Sequence, residues 1–410
     1  MKEGEHACHA AGTPGVPVLC SVSRWRGGSP LDQVAWMARA LDLAELGRGF
    51  TSPNPLVGCV VVKDGEIVGE GYHRGVGLPH AEAEALAAAG ERAAGADLYV
   101  SLEPCCHFGR TPPCTAEIIG HRVARVFAAI ADPNPRVSLR SKAELESAGI
   151  PVSFGLLAEQ ATSQNAAYLK WVDKGLPFVS LKWAMTLDGK VACHSGDSMY
   201  FTGQEALARA HLLRRDADAV AVGLGTVRQD DPQLTVRHVS GRSPARVVFD
   251  THLALPATSR LLAPGGPPVF VIGCESASQE RQARLTDLGA TVLLAPGFEG
   301  RVDLLSALRL LARHDITSLL VEGGPTLHGS FVDQHLADRF FVFLAPRVFG
   351  NPKAPSAVGG LGVDHPQAAP RLTLVRMEAL GEDLFIEARP EEVAERVHRH
   401  HPAERTAVGQ

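Results

Sequence analysis

Aromatic residues and an excess of either charge are both scarce in this sequence. Only 6% of its 410 residues are aromatic, and 45 acidic against 40 basic side chains leave a formal charge of -5. Proteins that bind nucleic-acid backbones present a positive surface, and those that bind single strands add aromatic stacking platforms. The composition therefore favours a small-molecule ligand and predicts no nucleic-acid partner.

Long apolar runs are also missing. No stretch reaches the ~18 to 20 uninterrupted apolar residues that span a bilayer, and the first residues do not follow the basic-then-apolar order of a signal peptide. We therefore expect a cytoplasmic protein without a membrane partner. Eight cysteines are few for a chain of 410 residues, which favours metal ligation or buried thiols over a disulfide framework.

The chain is long enough for two domains, and both halves alternate strand and helix patterns, as is typical of the α/β class. In the first half, a helix that begins at Leu31 precedes an apolar strand at 56–63, an Asp64-Gly65 turn and a returning strand at 66–72. The second half has strand patterns at 178–185, 219–223, 246–250, 268–273 and 316–322. We expect a flexible extension (1–30), a first domain (31–150), a linker (151–176), a second domain (177–390) and a disordered tail (391–410).

The strongest motif in the first half combines His80-Ala81-Glu82 with a Glu-Pro-Cys run that ends at Cys105 and a later Cys114. One imidazole and two thiolates form a three-ligand zinc site with an open position for water. Glu82 lies two residues after His80, close enough to carry protons to and from that water. His-x-Glu followed by Pro-Cys is the signature of zinc-dependent nucleobase deaminases.

Two other interpretations of this motif remain open. In one, His80 begins a helix and the cysteines fill a core. In the other, Cys106 completes a closed structural zinc site with four protein ligands. Adjacent cysteines rarely both reach one zinc ion, so we expect Cys106 to pack beside the site instead.

The spacing of the cysteines separates this chain from cytidine and transfer-RNA deaminases, whose pattern is Pro-Cys-x-x-Cys. Here Cys105 and Cys114 enclose the longer segment CCHFGRTPPC. Together with TSPNPLVGC at 51–59, LPHAE at 78–82 and DPNP at 132–135, it closely resembles the deaminase half of the bifunctional riboflavin-pathway deaminase/reductase family. The resemblance implies a cytidine-deaminase-like three-layer sandwich.

By this resemblance His80, Cys105 and Cys114 are the zinc ligands, Glu82 is the catalytic acid and base, and Asn54 and His107 touch the pyrimidine. Asn54 has an alternative role as the cap of its Pro-Asn-Pro turn. After residue 135 the chain departs from the family pattern, because Leu139 and Ser141 replace its usual glycines.

The second half lacks a Gly-x-Gly-x-x-Gly turn after its first strand, which argues against an ordinary Rossmann site. EGGPTLHGS at 322–330 instead leads from a strand into a helix whose free N–H groups favour a pyrophosphate. Alone, this motif is equally typical of a tight strand-to-helix connection. LKWAMTLDGK at 181–190, SGDS at 195–198, GLGT at 223–226, DDPQLTVR at 230–237 and LAP at 344–346 occur around it in order.

This set resembles the reductase half of the same family, which has a dihydrofolate-reductase-like fold. The resemblance covers roughly residues 31–390 and implies NADPH contacts at Ala184, Tyr200, Thr226, Asp230, Gly324, Pro325, Thr326, Leu327, His328, Gly329 and Ser330. It implies substrate contacts at Ser198, Arg214, Leu234, Arg237 and Glu322.

Arg214 and Arg237 suit a ribose phosphate because guanidinium groups bind phosphate as a fork. Each has the alternative of an ordinary surface ion pair. Tyr200 stands where the family usually has tryptophan. Lys182 either orients substrate or is simply solvated at a strand end.

The resemblance implies zinc-dependent deamination of a phosphorylated diaminopyrimidine, followed by NADPH-dependent reduction of its ribosyl group, in a homo-oligomer that associates through the reductase domain. Two alternatives stay open. Either only one half is active, or the chain is a zinc-stabilised nucleic-acid-binding protein, against which the composition and the long cysteine loop argue.

Overall fold

The fold is taken from a computed structural model that describes residues 30–108, 112–196 and 201–391. Residues 1–29 and 392–410, which hold nearly all of the predicted extension and tail, lie outside the described residues. Ser198 and Tyr200 also lie outside them.

The first domain is built on a five-stranded sheet of order β2-β1-β3-β4-β5. β1 is antiparallel to β2 and β3, whereas β3, β4 and β5 are parallel. Its elements are α1 (Pro30–Glu45), β1 (Gly58–Lys63), β2 (Glu66–Tyr72), α2 (Ala81–Ala89), β3 (Asp97–Val100), α3 (Cys114–Gly120), β4 (Arg125–Ala128), α4 (Arg140–Ser147), β5 (Val152–Phe154) and α5 (Ala158–Gln164). A 3-10 turn at Gly90–Ala93 follows α2.

Helices cover both faces of this sheet, which gives three layers. On one face α1 and α5 pack Met37, Ala40 and Ala161 against Val60 and Tyr99. On the other face α2, α3 and α4 enclose a second core, which includes Ala81, Ala85, Leu86, Ile118, Leu145, Val61, Leu98 and Val126. Strands of β-branched residues and Ala-rich helices thus bury their apolar faces together.

The position of α2 depends on small residues in β2. A Cβ atom built on Gly71 would lie 2.5 Å from the carbonyl oxygen of Ala81, and one built on Gly69 would lie 2.2 Å from that of Ala85. The two glycines let the helix approach the strand closely. The turn between β1 and β2 has positive φ at both Asp64 and Gly65, as an Asp-Gly hairpin turn requires.

The segment between the two domains is ordered into regular structure. The sequence assigns residues 151–176 to a linker, but β5 within it is the edge strand of the first sheet. α5 and then α6 (Ala166–Lys174) follow β5. The first domain's sheet therefore extends past residue 150.

The second domain contains a nine-stranded sheet of order β10-β9-β8-β7-β13-β6-β14-β16-β15. Its strands are β6 (Phe178–Thr186), β7 (Ala219–Gly223), β8 (Ala245–Phe249), β9 (Val269–Cys274), β10 (Thr291–Ala295), β13 (Ser318–Val321), β14 (Arg339–Ala345), β15 (Leu372–Leu380) and β16 (Asp383–Pro390). β11 (Gly297–Phe298) and β12 (Arg301–Val302) form a separate hairpin. Neighbouring strands are parallel throughout the part of the sheet formed by β10, β9, β8, β7, β13, β6 and β14. The strands β16 and β15 then add an antiparallel edge.

Helices pack on both faces of the second sheet. They are α7 (Gln204–Asp216), α8 (Leu224–Asp230), α9 (Gln279–Asp287), α10 (Leu304–Ala312) and α11 (Pro325–Asp333), with 3-10 turns at Arg260–Leu262 and Pro366–Ala368. α10 and α11 bury Leu308 and Phe331 on one face, and α7, α8 and α9 bury Ala210, Val227 and Leu285 on the other. β13 lies near the centre of the sheet, between β7 and β6.

A cavity of about 770 Å³ separates the two domains. Its walls include Ser52 and Asn54 of the first domain and Thr317, Ser318 and Arg339 of the second. These second-domain residues stand at the starts of β13 and β14. In the part of the chain that the structure describes, no helix has both the length and the apolar character needed to cross a bilayer.

Candidate active sites

The first candidate site lies where the start of α2 meets the loop after β3 and the start of α3. His80 precedes α2, Cys105 is in the loop and Cys114 is the first residue of α3. The potential ligand atoms of these three residues all lie within 4.8 Å of one another. The Nδ1 atom of His80 is 3.2 Å from the Cys114 sulfur and 3.5 Å from that of Cys105.

One nitrogen and two sulfurs at this separation fit the donors and the tetrahedral geometry that zinc prefers. A hydrogen bond between the thiols lowers the pKa of Cys105 and raises that of Cys114, so the pair carries a thiolate. Cys106 does not belong to this group of potential ligands, because its thiol donates to the carbonyl of Arg136 at 3.5 Å. The described residues therefore offer three ligands and not the closed four-ligand set.

Glu82 lies in the first turn of α2 and is only 3% exposed. Burial, together with the negative charge at Cys105, raises the pKa of Glu82 to about 7. A carboxyl group with this pKa is populated in both protonation states at neutral pH, which is the property of an effective proton carrier.

The Asn54 side chain connects to the group of three potential zinc ligands through a histidine that the sequence analysis missed. Its Nδ2 atom lies 3.0 Å from Nε2 of His73, and Nδ1 of His73 lies 3.1 Å from the carbonyl oxygen of Pro79, next to His80. Since a carbonyl only accepts, Nδ1 carries the proton and Nε2 accepts from Asn54. Burial lowers the pKa of His73, which favours this neutral form.

His107 has a buried Nδ1 atom that finds no hydrogen-bond partner among the described residues. A buried polar atom without a partner costs free energy unless a ligand supplies the hydrogen bond. This supports the expected contact between His107 and a polar substrate edge.

The loop in which Leu139 and Ser141 replace the family's usual glycines is held by Glu103, another residue that the sequence analysis did not single out. The buried Glu103 carboxylate accepts hydrogen bonds from the backbone N–H groups of Asp132 and Leu139, at 3.1 and 3.2 Å, and from the Ser141 hydroxyl at 2.6 Å. Leu139 takes the left-handed conformation that usually favours glycine, with φ of 57°. The Ser141 hydroxyl therefore adds a bond that glycine could not make. The sequence carries no signal for this role, because the burial of Glu103 is visible only in the structure.

The second candidate site lies at the carboxyl ends of the central strands of the nine-stranded sheet. Glu322, directly after β13, accepts two hydrogen bonds of 2.7 Å from Arg214 of α7. The Lys182 ammonium of β6 is 3.8 Å from the same carboxylate. Burial alone would raise the pKa of Glu322, but Arg214 and Lys182 outweigh it and hold the pKa at about 2. The carboxylate is therefore ionised at neutral pH.

The predicted substrate residues next to this pair differ in accessibility. Arg237 is exposed, and its Nη1 atom donates to Gln233 and Thr235 at 3.2 and 3.0 Å. Leu234 is only 2% exposed and has a positive φ of 55°, so it contributes mainly to the core. The backbone N–H of Arg237 donates to Nδ1 of His211, a buried histidine that the sequence analysis also missed.

The turns predicted to hold NADPH are neighbours, because β7 and β13 are adjacent parallel strands and both turns follow them. A Cβ atom built on Gly324 would lie 3.5 Å from the hydroxyl of Thr226. Pro325 opens α11, as expected. Of the other predicted cofactor residues, Thr326 and Asp230 are exposed and Ala184, Leu327 and Ser330 are half-buried.

His328 and Gly329 face inward. The two ring nitrogens of His328 each lie 3.2 Å from a backbone carbonyl oxygen, of Ala357 and of Val321. A Cβ atom on Gly329 would lie 2.3 Å from the backbone of Gly359. Neither residue offers a side chain at the surface of the turn, and their contacts with a cofactor stay predictions.

Comparisons with known proteins match both halves of the chain. Residues 31–130 match the cytidine and deoxycytidylate deaminase zinc-binding region, and residues 177–386 match the RibD C-terminal domain. The riboflavin biosynthesis protein RibD of Aquifex aeolicus is 43% identical over 352 residues, which cover 86% of this chain and 96% of that protein. Its counterpart in Escherichia coli is 42% identical over 329 residues, 77% of this chain and 88% of that protein.

Solved structures of similar proteins match both domains of this chain as well. RibD of Acinetobacter baumannii superposes with a TM-score of 0.79 at 36% identity, covering 88% of this chain and 99% of that one. The Thermotoga maritima diaminohydroxyphosphoribosylaminopyrimidine deaminase/5-amino-6-(5-phosphoribosylamino)uracil reductase gives 0.78 at 36% identity, with the same coverage of 88% and 99%. These matches confirm the predicted fold class, a cytidine-deaminase-like sandwich followed by a dihydrofolate-reductase-like domain. The chain belongs to the RibD family of riboflavin biosynthesis proteins.

Proposed function

We propose that this chain catalyses two consecutive steps of riboflavin biosynthesis. The first is the hydrolytic deamination of 2,5-diamino-6-(5-phosphoribosylamino)pyrimidin-4(3H)-one. The second is the NADPH-dependent reduction of the ribosyl group, which yields 5-amino-6-(5-phosphoribitylamino)uracil. The observation that carries the proposal is the convergence of His80, Cys105 and Cys114 beside the buried Glu82, in a chain whose second domain matches the RibD C-terminal domain.

The first reaction would use zinc held by His80, Cys105 and Cys114. Bound there, zinc would make a water molecule acidic enough to act as the nucleophile near neutral pH. Glu82 would accept a proton from the attacking water at a carboxylate oxygen. It would deliver this proton to the ring nitrogen, and would then take the second proton from the hydroxyl group added to the ring carbon and deliver it to the departing ammonia, as its pKa of about 7 allows.

Asn54 and His107 would recognise the pyrimidine. Since Nδ2 of Asn54 donates one hydrogen to His73, the amide retains a second donor and its carbonyl oxygen for the substrate. The unpartnered Nδ1 atom of His107 would contribute another polar contact. Together they offer both donors and acceptors to an aminopyrimidinone edge.

The second reaction would take place at the carboxyl ends of β6, β7 and β13. NADPH would supply the hydride, so the chain's own groups need only bind and orient the reactants. The N–H groups at the start of α11 and the hydroxyl of Thr226 would hold the cofactor's phosphates and ribose. Ala184, Asp230 and Tyr200 complete the proposed cofactor contacts. We assign no general acid in this half.

The substrate phosphate is best assigned to Arg237. The guanidinium of Arg214 already forms a two-point pair with Glu322, whereas Arg237 is exposed. Arg214 would therefore fix Glu322 within the substrate site while Arg237 binds phosphate. Ser198 and Leu234 are the remaining proposed substrate contacts.

Incubating the purified protein with the diaminopyrimidine substrate tests both steps together. Without NADPH we expect ammonia and the deaminated ribosyl intermediate. Adding NADPH should convert that intermediate to the ribityl product, with one NADPH oxidised per molecule. Release of ammonia without any later NADPH oxidation would refute the reductase assignment, and absence of ammonia would refute the deaminase assignment.

We further propose that the chain forms a homo-oligomer through its second domain, in the cytoplasm and with no nucleic-acid partner. β15 is the outermost strand of the nine-stranded sheet, and Leu374 and Met377 on it are 64% and 63% exposed. An apolar edge strand readily pairs with another chain. Light scattering should give at least a dimer, which Met377→Glu weakens. A monomeric wild-type protein at micromolar concentration would refute the assignment.

A further inference from the structure

The loop that carries Asn54 is attached to the second domain and to the connecting helices. The carbonyl oxygen of Gly49 accepts a hydrogen bond from Nε of Arg242. The Ser52 hydroxyl lies 3.3 Å from that of Thr317. The backbone of Leu56 forms two hydrogen bonds with the buried side chain of Asn165, at 2.8 and 2.9 Å. Contacts from outside the first sheet thus fix both ends and the middle of residues 49–56.

One buried carboxylate organises the second-domain side of these contacts. Asp218, 6% exposed, accepts from the N–H groups of Thr317 and Ser318 at 2.9 and 3.0 Å, from the Thr317 hydroxyl at 2.6 Å and from Arg242 at 3.1 Å. Because the Thr317 hydroxyl donates its hydrogen to Asp218, it accepts from Ser52. Asp218 therefore orients both groups that reach the loop.

The connecting helix α6 is itself attached to the second domain. Lys170 forms an ion pair of 2.6 Å with Asp338, and the indole N–H of Trp171 donates to the carbonyl of Ala312 at 3.1 Å. Asn165, directly before α6, is held in place by these contacts. The side chain that holds Leu56 therefore depends on the second domain as well.

Through Asn54, the loop also connects to the three potential zinc ligands of the first domain. Asn54 donates to His73, and His73 donates to the carbonyl of Pro79, the residue before His80. A displacement of residues 49–56 would move the Asn54 amide relative to the three ligands. The effect on pyrimidine binding would be larger than the effect on ligand geometry, because His80 is also fixed by α2.

We infer that the second domain positions the pyrimidine-binding loop of the first, and that Arg242 and Thr317 are positioning residues for deamination. This inference rests on the proposed function, since it assigns deamination to the first domain. Thr317 and Glu322 flank β13 at its opposite ends and are five residues apart, about 16 Å at ~3.3 Å per residue. A change at Thr317 is therefore remote from Glu322, and Arg242, five residues after Arg237, directs its guanidinium to Gly49 and Asp218.

Two pairs of variants test the inference in the full-length, zinc-loaded protein. Arg242→Ala removes the bond to Gly49 and the bond to Asp218. The control Arg281→Ala removes an arginine bond to a backbone carbonyl, that of His252, at a surface away from the first domain. Thr317→Val removes the hydroxyl that accepts from Ser52 without changing the size of the side chain. Thr317→Ser keeps that hydroxyl.

For Arg242→Ala we expect the KM of deamination to rise ~10- to 100-fold, the scale of one hydrogen bond from a charged donor. The kcat of deamination and both kinetic constants of reduction, measured with deaminated substrate, should change less than about threefold. Thr317→Val should raise the same KM about two- to five-fold. Thr317→Ser and Arg281→Ala should match the wild type.

Hydrogen exchange at the backbone N–H groups of the non-proline residues in 50–56 gives a readout that needs no turnover. We expect faster exchange there in Arg242→Ala and Thr317→Val than in their controls. Unchanged exchange, or an unchanged KM in both variants, would refute the positioning role. An equal loss of both activities would also refute it, because the contacts would then maintain domain packing as a whole. A wild-type protein that does not deaminate would count against the proposed function, while the exchange data would still decide this inference.

Discussion

Replacing Glu322 by glutamine tests the buried charge cluster of the second site. The Glu322 side chain is 8% exposed and lies 2.7 Å from Arg214 and 3.8 Å from Lys182. Glutamine keeps the shape but removes the negative charge, so the two cations face each other without a counter-charge. Taking one partner from a buried ion pair is strongly destabilising. We expect Glu322→Gln to destabilise the second domain and to impair reduction.

The pH dependence of the lost stability separates the effect of the Glu322 charge from other effects of the substitution. Against burial, Arg214 and Lys182 hold the pKa of Glu322 at about 2 in the folded protein, below an ordinary value of 4.5. A pKa lowered by folding adds stability above the unfolded pKa, and this stability is lost as the pH falls through the folded pKa. At ~1.36 kcal/mol per pKa unit, the charge contributes about 3 kcal/mol at pH 7 and about 1 kcal/mol at pH 3.

The difference in unfolding free energy between wild type and Glu322→Gln should therefore narrow by about 2 kcal/mol from pH 7 to pH 3. Urea titration read by hydrogen exchange of β6 and β13 amides reports on the second domain alone. Glu70→Gln, read at the amides of β1 and β3 in the first domain, is the control, because Arg39 binds Glu70 in the same two-point manner at an exposed site and such pairs contribute only ~0 to 1 kcal/mol. A difference that stays constant across this pH range would refute the reasoning.

Three further experiments probe the sites separately. Glu82→Gln should keep zinc yet lower deamination ~100-fold or more, with reduction of deaminated substrate unchanged; full deamination would exclude Glu82 as the proton carrier. Metal analysis should find one zinc ion per chain, retained in Cys106→Ser and lost in Cys114→Ser, whereas loss of zinc from Cys106→Ser would restore the four-ligand interpretation. Arg237→Ala should raise the KM of reduction ~10- to 100-fold with less effect on kcat, and a loss of deamination in a folded, zinc-loaded protein would contradict two separate sites.

The three potential zinc ligands could be predicted from the sequence because they belong to short motifs. His80 and Glu82 lie within three residues, and Cys105 follows a proline at the end of a strand. Such motifs carry their chemistry in local spacing. The structure brings the three potential ligands within 4.8 Å of one another.

Residues whose role depends on distant partners could not be found in this way. His73, Glu103 and Asn165 act through contacts with Asn54, the loop at 132–141 and Leu56, and no spacing rule links these positions. The second domain shows the same limit. The parallel strands β6, β7, β8, β9 and β13 were predicted from apolar runs, but the parallel strands β10 and β14 and the antiparallel edge β15 and β16 were not. β15 is largely exposed, so it lacks the buried pattern that identifies a strand.

The nine-stranded sheet also separates the two reactions in space. The Asn54 loop of the proposed deamination site borders the inter-domain cavity at the amino ends of β13 and β14, whereas reduction would occur at the opposite, carboxyl edge. Within one chain, the deaminated intermediate would have to travel from one edge of this sheet to the other before reduction, and we propose that it does so through bulk solvent. We expect a lag before NADPH oxidation reaches its steady rate, and added unlabelled intermediate should dilute label supplied in the first substrate. The pathway would thus hold a free pool of intermediate, whose level is set by the relative rates of the two sites.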